Sequence, residues 1–235
     1  MAVAKGLAKP SDLGARVASA AVMLGVAGIA FALGGWWWTI FVALAGIGVL
    51  AEWASLVFAF ERRPFRRGLW LAGGLVYVGI ASSMVAQLRQ EQGEGFMLLP
   101  MVLLGVIATD VGAFFVGRTV GGPKIAPSIS PSKTWSGLGG GIVFAALAEV
   151  VLTTVLDGGF NIIAAAGVTE FGVLTAIIAQ TGDFFESWMK RRAGVKDSGR
   201  LLPGHGGLFD RLDGLLAVMF VLGLLALPIA LYGTV

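Results

Sequence analysis

The sequence predicts an all-α polytopic membrane protein of about seven transmembrane helices, with its N-terminus on the inner side. Three observations predict it. Of 235 residues, 57% are hydrophobic and only 13% are charged, whereas a soluble domain carries about a quarter charged residues. Apolar runs recur at lengths close to the roughly 20 residues that cross a ~30 Å hydrocarbon core. The basic residues also fall on one side. With spans at 17–34, 36–60, 69–88, 97–117, 136–156, 167–189 and 212–232, the segments 1–16, 61–68, 118–135 and 190–211 share a compartment. These hold three, four, three and six Lys or Arg residues, leaving only Arg89 of the 17 elsewhere. Such asymmetry is the positive-inside rule, and one span more or fewer would scramble it. A short or re-entrant helix around Phe160–Ala166 would raise the count to eight.

Each element has its own reason. Lys5, Lys9 and Arg16 precede the first apolar run. That run is long, lacks a small-residue cleavage site and leads at once into a second span, so a retained helix is expected rather than a cleaved leader. Trp36, Trp37 and Trp38 open span 2 at the outer boundary, where aromatic rings prefer the headgroup level. Glu52 sits inside that span beside Trp53. An unpaired acid there costs at least ~2.5–3.5 kcal/mol, so it is paired or functional, and both remain open. Glycines such as Gly46, Gly48, Gly73, Gly74 and Gly139 to Gly141 lie within spans, where small residues let helix backbones approach. Glu149 and Glu170 are expected to be structural. Residues 1–95 read as scaffold, and 96–235 as the catalytic region with inner loops 118–135 and 190–211.

Exclusions are few but firm. With no cysteine, disulfides, thiolate metal sites and cysteine nucleophiles are out. The pI near 9.5 reports topology, so no nucleic-acid partner is expected.

The chemistry collects on the inner side. Asp110 lies about two turns from the inner end of span 4, and the loop that follows carries Lys124, Ser130, Lys133 and Thr134. Lysines, hydroxyls and exposed amides together suit a polyphosphate. In span 6, Asp183, Glu186, Ser187 and Lys190 recur at i, i+3, i+4 and i+7, hence on one helix face. Asp210 and Asp213 share a face at the start of span 7, where helix capping would also favour carboxylates. Oxygen-only acidic ligands point to a hard cation such as Mg²⁺. Around them stand Lys190, Arg191, Lys196, Arg200 and Arg211. Acids that hold a metal, ringed by cations, match a bound nucleoside triphosphate. No Walker A or dinucleotide fingerprint is present, so the nucleotide site is of another type.

The run SWMKRRAGVKDSGRLLPGHGGLFDRLD at 187–213 resembles the signature of bacterial phosphatidate cytidylyltransferases, or CDP-diacylglycerol synthases. Its matching positions are Ser187, Lys190, Arg191, Lys196, Asp197, Gly199, Pro203, His205, Gly206, Gly207, Asp210, Arg211 and Asp213. TDVGAFFVGR at 109–118, SPSKTWSG at 130–137 and AEWAS at 51–55 resemble the same family. Typical members are longer, with one or two more spans before the position of Glu52.

The resemblance implies CTP and phosphatidate as substrates, CDP-diacylglycerol and pyrophosphate as products, Mg²⁺ as cofactor, and the bacterial cytoplasmic membrane as location. A second metal ion and a homodimer stay open. It implies Asp183 and Asp210 as first metal ligands, with Asp110 and Asp213 next. Lys196, Arg211 and His205 join Asp183 and Asp210 as catalytic residues. Lys124, Ser130, Lys133, Thr134, Ser187, Lys190, Arg191, Arg200, Gly206 and Gly207 are implied in substrate binding. A phosphate monoester with a second pKa of about 6 is already ionised at neutral pH, so loop ordering suits His205 better than general-base work. Rival readings are a lipid or polyprenol kinase, which would release no pyrophosphate, and an ion transporter, which would place its charges near the midplane, often in repeated halves.

Overall fold

The computed structural model describes residues 10–91, 95–202 and 206–232. Seven α-helices form among them: α1 Pro10–Leu33, α2 Gly35–Phe60, α3 Pro64–Leu88, α4 Gly95–Thr119, α5 Trp135–Leu156, α6 Ile162–Ala193 and α7 Phe209–Tyr232. Five of these, α2 to α6, are long and apolar enough to cross a membrane. The apolar part of α1, Val17–Leu33, is shorter, and α7 opens on Asp210, Arg211 and Asp213. Large apolar side chains such as Leu24, Leu44 and Ile163 point outward, as helices in lipid require.

Two features differ from the expected all-α plan. The inner loop 118–135 contains an antiparallel hairpin, β1 Lys124–Ala126 with β2 Ser130–Thr134. Segment 160–166 is no separate eighth helix. Asn161 accepts from the amides of Ile163 (2.9 Å) and Ala164 (3.3 Å), so α6 starts there and runs 32 residues unbroken.

Packing follows two different rules. Where α2, α3, α6 and α7 meet, Trp53 is buried, lies tilted against the rings of Tyr77, Phe185 and Phe209, and donates its indole N–H to the carbonyl of Trp70 at 2.9 Å. Gly74 faces that indole so closely that any side chain would overlap it. Where α4 meets α5, glycines replace aromatics. A Cβ on Gly112 would lie 2.6 Å from the carbonyl oxygen of Gly140, and one on Gly141 would lie 3.0 Å from that of Thr109. Backbones therefore touch almost directly.

The tryptophan triplet divides its work. Trp36 and Trp37 are exposed, as an interfacial anchor would be, but Trp38 is core and donates to the carbonyl of Val85 at 3.1 Å. Arg89, the basic residue outside the inner segments, donates to the carbonyl of Phe31 at 2.8 Å and lies over the rings of Phe31 and Phe96.

Candidate active site

The hairpin exists because the chain can turn sharply after α4. Gly121 and Gly122 adopt φ of 65° and 108°, open to glycine but strained for other residues. Lys124 then pairs with Thr134 and Ala126 with Ser130. Lys124 also donates to the carbonyl of Ser132 at 3.2 Å. Thr134 is the N-cap of α5, its hydroxyl accepting from the amide of Gly137 at 3.1 Å. From the far side, the Arg191 guanidinium donates to the carbonyl of Ile129 at 3.1 Å and ties the hairpin turn to the end of α6.

Between hairpin and bundle lies a cavity of about 580 Å³. Its one wall, from α4, the hairpin and the start of α5, presents Arg118, Lys124 and Lys133, with Asp110 as its acid. The other, from α6 and α7, presents Asp183, Asp210 and Asp213, with Arg211 as its base. Lys133 spans the gap, paired with Asp183 and donating to Gln180 at 2.9 Å.

The acidic wall is assembled by close helix contact. A Cβ on Gly182 would lie 2.5 Å from both the carbonyl oxygen of Asp213 and the Cβ of Ala217, so only glycine lets α6 and α7 approach this far. That contact sets Asp183 beside Asp213. Asp183, Glu186 and Asp213 each offer an oxygen within 4.8 Å of the other two. Glu186 is buried. Its Oε2 meets the Lys190 ammonium at 2.5 Å, while Oε1 is buried with no hydrogen-bond partner. An orphaned buried oxygen is costly unless something meets it, and an all-carboxylate donor set suits a hard divalent cation. The group therefore fits a metal ion.

Asp210 is differently occupied. Its Oδ1 accepts from Lys190 at 2.6 Å, and its Oδ2 from the Ser198 amide at 2.8 Å, the Gly207 amide at 2.9 Å and the Ser198 hydroxyl at 3.0 Å. Asp210 thus closes the ends of the loop between α6 and α7, whose arms also meet where the Leu202 amide donates to the Gly206 carbonyl at 3.1 Å.

The expected site residues sort accordingly. Asp110, Lys124, Lys133, Thr134, Asp183, Asp210, Arg211 and Asp213 line the cavity. Of the expected metal ligands, Asp183 and Asp213 stand in the close acidic group, whereas Asp110 and Asp210 lie outside it. Ser187 donates to Asp183 at 3.3 Å and Lys190 bridges Glu186 and Asp210, both beside the cavity. Ser130 is buried in the hairpin, Arg191 braces it, and Gly206 and Gly207 form the loop's returning arm. Lys196 and Arg200 are exposed and do not line the cavity. His205 lies outside the described residues.

Gln180 and Ser198 escaped the sequence-based reading, and Glu186 was read there as one of the acids on the α6 face without being assigned as a ligand. Glu186 was legible from its i+3 spacing to Asp183. Gln180 and Ser198 carried no signal of their own. Glu52, left open between roles, is buried and hydrogen-bonded to the α6–α7 loop and to the start of α7. Glu170 is exposed, and Glu149 is fully buried with neither oxygen partnered.

Known proteins are similar to this chain in sequence. A phosphatidate cytidylyltransferase of Brucella suis is 39% identical over 199 residues, covering 80% of this chain and 71% of the relative. One from Mycobacterium tuberculosis is 43% identical over 142 residues, 60% of this chain and 42% of the relative. One from Staphylococcus saprophyticus is 36% identical over 173 residues, 74% and 64% respectively. The sequence model of the cytidylyltransferase family matches residues 59–227, a stretch that takes in every residue lining the cavity. The chain belongs to the cytidylyltransferase family.

Proposed function

We propose that this chain is a phosphatidate cytidylyltransferase, transferring CMP from CTP to phosphatidate and releasing pyrophosphate. One observation supports it above the rest: within a chain of this family, a single cavity has a cationic wall facing a wall of grouped carboxylates. A metal-bound triphosphate needs both surfaces at once.

In this reading an oxygen of the lipid phosphate forms a bond to the α-phosphorus of CTP, and the bond from that phosphorus to the β-bridging oxygen breaks. The nucleophile is already ionised at neutral pH, so no strong base is required. Repulsion between the two anions is the larger barrier, and Arg118, Lys124, Lys133 and Arg211 lower it by holding phosphate oxygens with charge-assisted hydrogen bonds. Asp183, Glu186 and Asp213 would hold Mg²⁺, which when bound supplies charge neutralisation on the phosphates. Lys133, paired with Asp183 and Gln180, sits where the metal side and the phosphate side meet. Lys190 bridges Glu186 and Asp210 with its single ammonium.

In this reading the chain crosses the membrane seven times with its N-terminus inside, and the cavity opens at the inner interface of a bacterial cytoplasmic membrane, where soluble CTP reaches a lipid headgroup. Residues 1–95 serve as scaffold and 96–235 as the catalytic region, with Glu52 as the scaffold's contribution to the site.

The test is an assay in liposomes with labelled CTP, phosphatidate and Mg²⁺, following CDP-lipid and pyrophosphate together. Equal amounts of both, absent without Mg²⁺ and in Asp183→Asn, are expected. A nucleoside diphosphate without pyrophosphate would replace this reading with a kinase.

A further inference from the structure

Glu52 lies upstream of the residues matched by the family model, on α2, and yet its carboxylate is spent entirely on the loop and helix that carry the acidic wall. Its Oε1 accepts from the amide of Leu208 at 3.0 Å. Its Oε2 accepts from the amide of Phe209 and from the hydroxyl of Ser198, both at 2.8 Å. Glu52 is buried, and no lysine or arginine pairs with it among the described ion pairs. Its charge is met by the first amides of α7, which are unsatisfied donors at the positive end of the helix dipole.

A helix normally caps itself with a polar residue just before its first turn. Here that position is Leu208, whose side chain has no acceptor, and the local carboxylates are committed elsewhere, Asp210 to the loop ends and Asp213 to the metal group. The cap is therefore supplied in trans, from another helix. Two glycines make room for it. A Cβ on Gly199 or on Gly207 would overlap the Glu52 carboxylate, and Gly207 is crowded by the Ser198 hydroxyl as well.

Phe209 and Asp213 are one helical turn apart, so fixing the Phe209 amide fixes the height and rotation at which Asp213 is presented. Gly182 sets the approach of α7 to α6, and Glu52 sets its axial register. We infer that Glu52 is a positioning residue for the metal-binding group, acting through the Leu208 and Phe209 amides and the Ser198 hydroxyl to hold Asp213 in register with Asp183 and Glu186. This rests on the metal-dependent reaction proposed above.

Glu52→Gln and Ser198→Ala separate it from a merely structural role. The first readout is Mn²⁺ alone, titrated into detergent-purified protein by electron paramagnetic resonance. Partners that orient metal ligands are typically worth about 10–100-fold in metal affinity, and Glu52→Gln is expected to weaken Mn²⁺ within that range. Ser198→Ala, which removes only the shared hydroxyl, should move it less in the same direction, and it carries the test if Glu52→Gln does not fold. The second readout is the Mg²⁺ dependence of CDP-lipid formation. The half-saturating Mg²⁺ should rise while the maximal rate recovers at high Mg²⁺. Loss of folded protein would instead lower the maximal rate at an unchanged Mg²⁺ midpoint, and that result overturns the inference. So does wild-type Mn²⁺ affinity in the variants, or a wild type that binds no Mn²⁺. A wild type that binds Mn²⁺ but forms no CDP-lipid overturns the proposed reaction alone.

Discussion

The two walls of the cavity are built in opposite ways. The α4–hairpin–α5 wall gets its shape from glycine contacts that carry no charge, and its charge from side chains that take no part in those contacts. Arg118, Lys124 and Lys133 project from backbone fixed by Gly112, Gly140, Gly141 and the Thr134 cap. The α6–α7 wall merges the two tasks. Its charged groups are also its fasteners, with Lys190 joining Glu186 to Asp210 and Asp210 closing the loop on Ser198 and Gly207. A cationic wall of long flexible side chains can adapt to phosphates, whereas a metal group demands ligands held at set positions. Changes in the first wall should therefore alter substrate affinity, and changes in the second should alter metal dependence and stability together.

The largest effect should come from Asp213→Asn, which in the proposed reading removes a metal ligand rather than a ligand's support. Since supporting partners alone cost about 10–100-fold, the rate of CDP-lipid formation should fall by on the order of 100-fold or more, measured at saturating CTP and Mg²⁺. Lys133→Ala comes next. A hydrogen bond to a charged group contributes about 1.5–3 kcal/mol, or on the order of 10–100-fold. It should appear mainly in the KM for CTP, with the Mg²⁺ midpoint no higher than in the wild type. Third is Gly182→Val against Gly140→Val, one in each seam. Overpacking costs about 1–3 kcal/mol in either place, visible as a lower thermal midpoint. Only Gly182→Val should also weaken Mn²⁺ binding, because only that seam sets Asp183 against Asp213. Smallest is Glu149→Gln. The carboxyl is buried with no hydrogen-bond partner and does not line the cavity. Neutralising it should leave turnover unchanged and the thermal midpoint equal or higher, read by melting in detergent.

Much of this was legible in the sequence because its causes are local. Hydropathy placed the helices, the i+3 spacing placed Asp183 and Glu186 on one face, and the glycine-rich run at 196–214 announced a loop with special backbone. What was not legible depends on distant chain segments meeting. The hairpin was hidden because β2, SPSKT, has too few apolar residues to alternate. Helix α6 begins earlier than its apolar core suggests, since the Asn161 cap sets the start. Asp210 and Asp213 look equivalent in sequence, three residues apart on one helix. Only the contacts of Asp210 with Ser198 and Gly207, and the approach of Asp213 to Asp183 and Glu186, tell the two apart. Glu52 shows the same limit, because an acid in an apolar span announces a partner without saying that the partner lies 146 to 157 residues away.

The most direct test of the division between the walls is Mn²⁺ binding, without nucleotide, to the wild type, Asp213→Asn and Lys133→Ala. The wild type should bind, Asp213→Asn should lose binding, and Lys133→Ala should bind at least as tightly as the wild type because Asp183 is freed from its ammonium partner. Retained binding in Asp213→Asn together with loss in Lys133→Ala would contradict the assignment of metal to one wall and phosphate to the other.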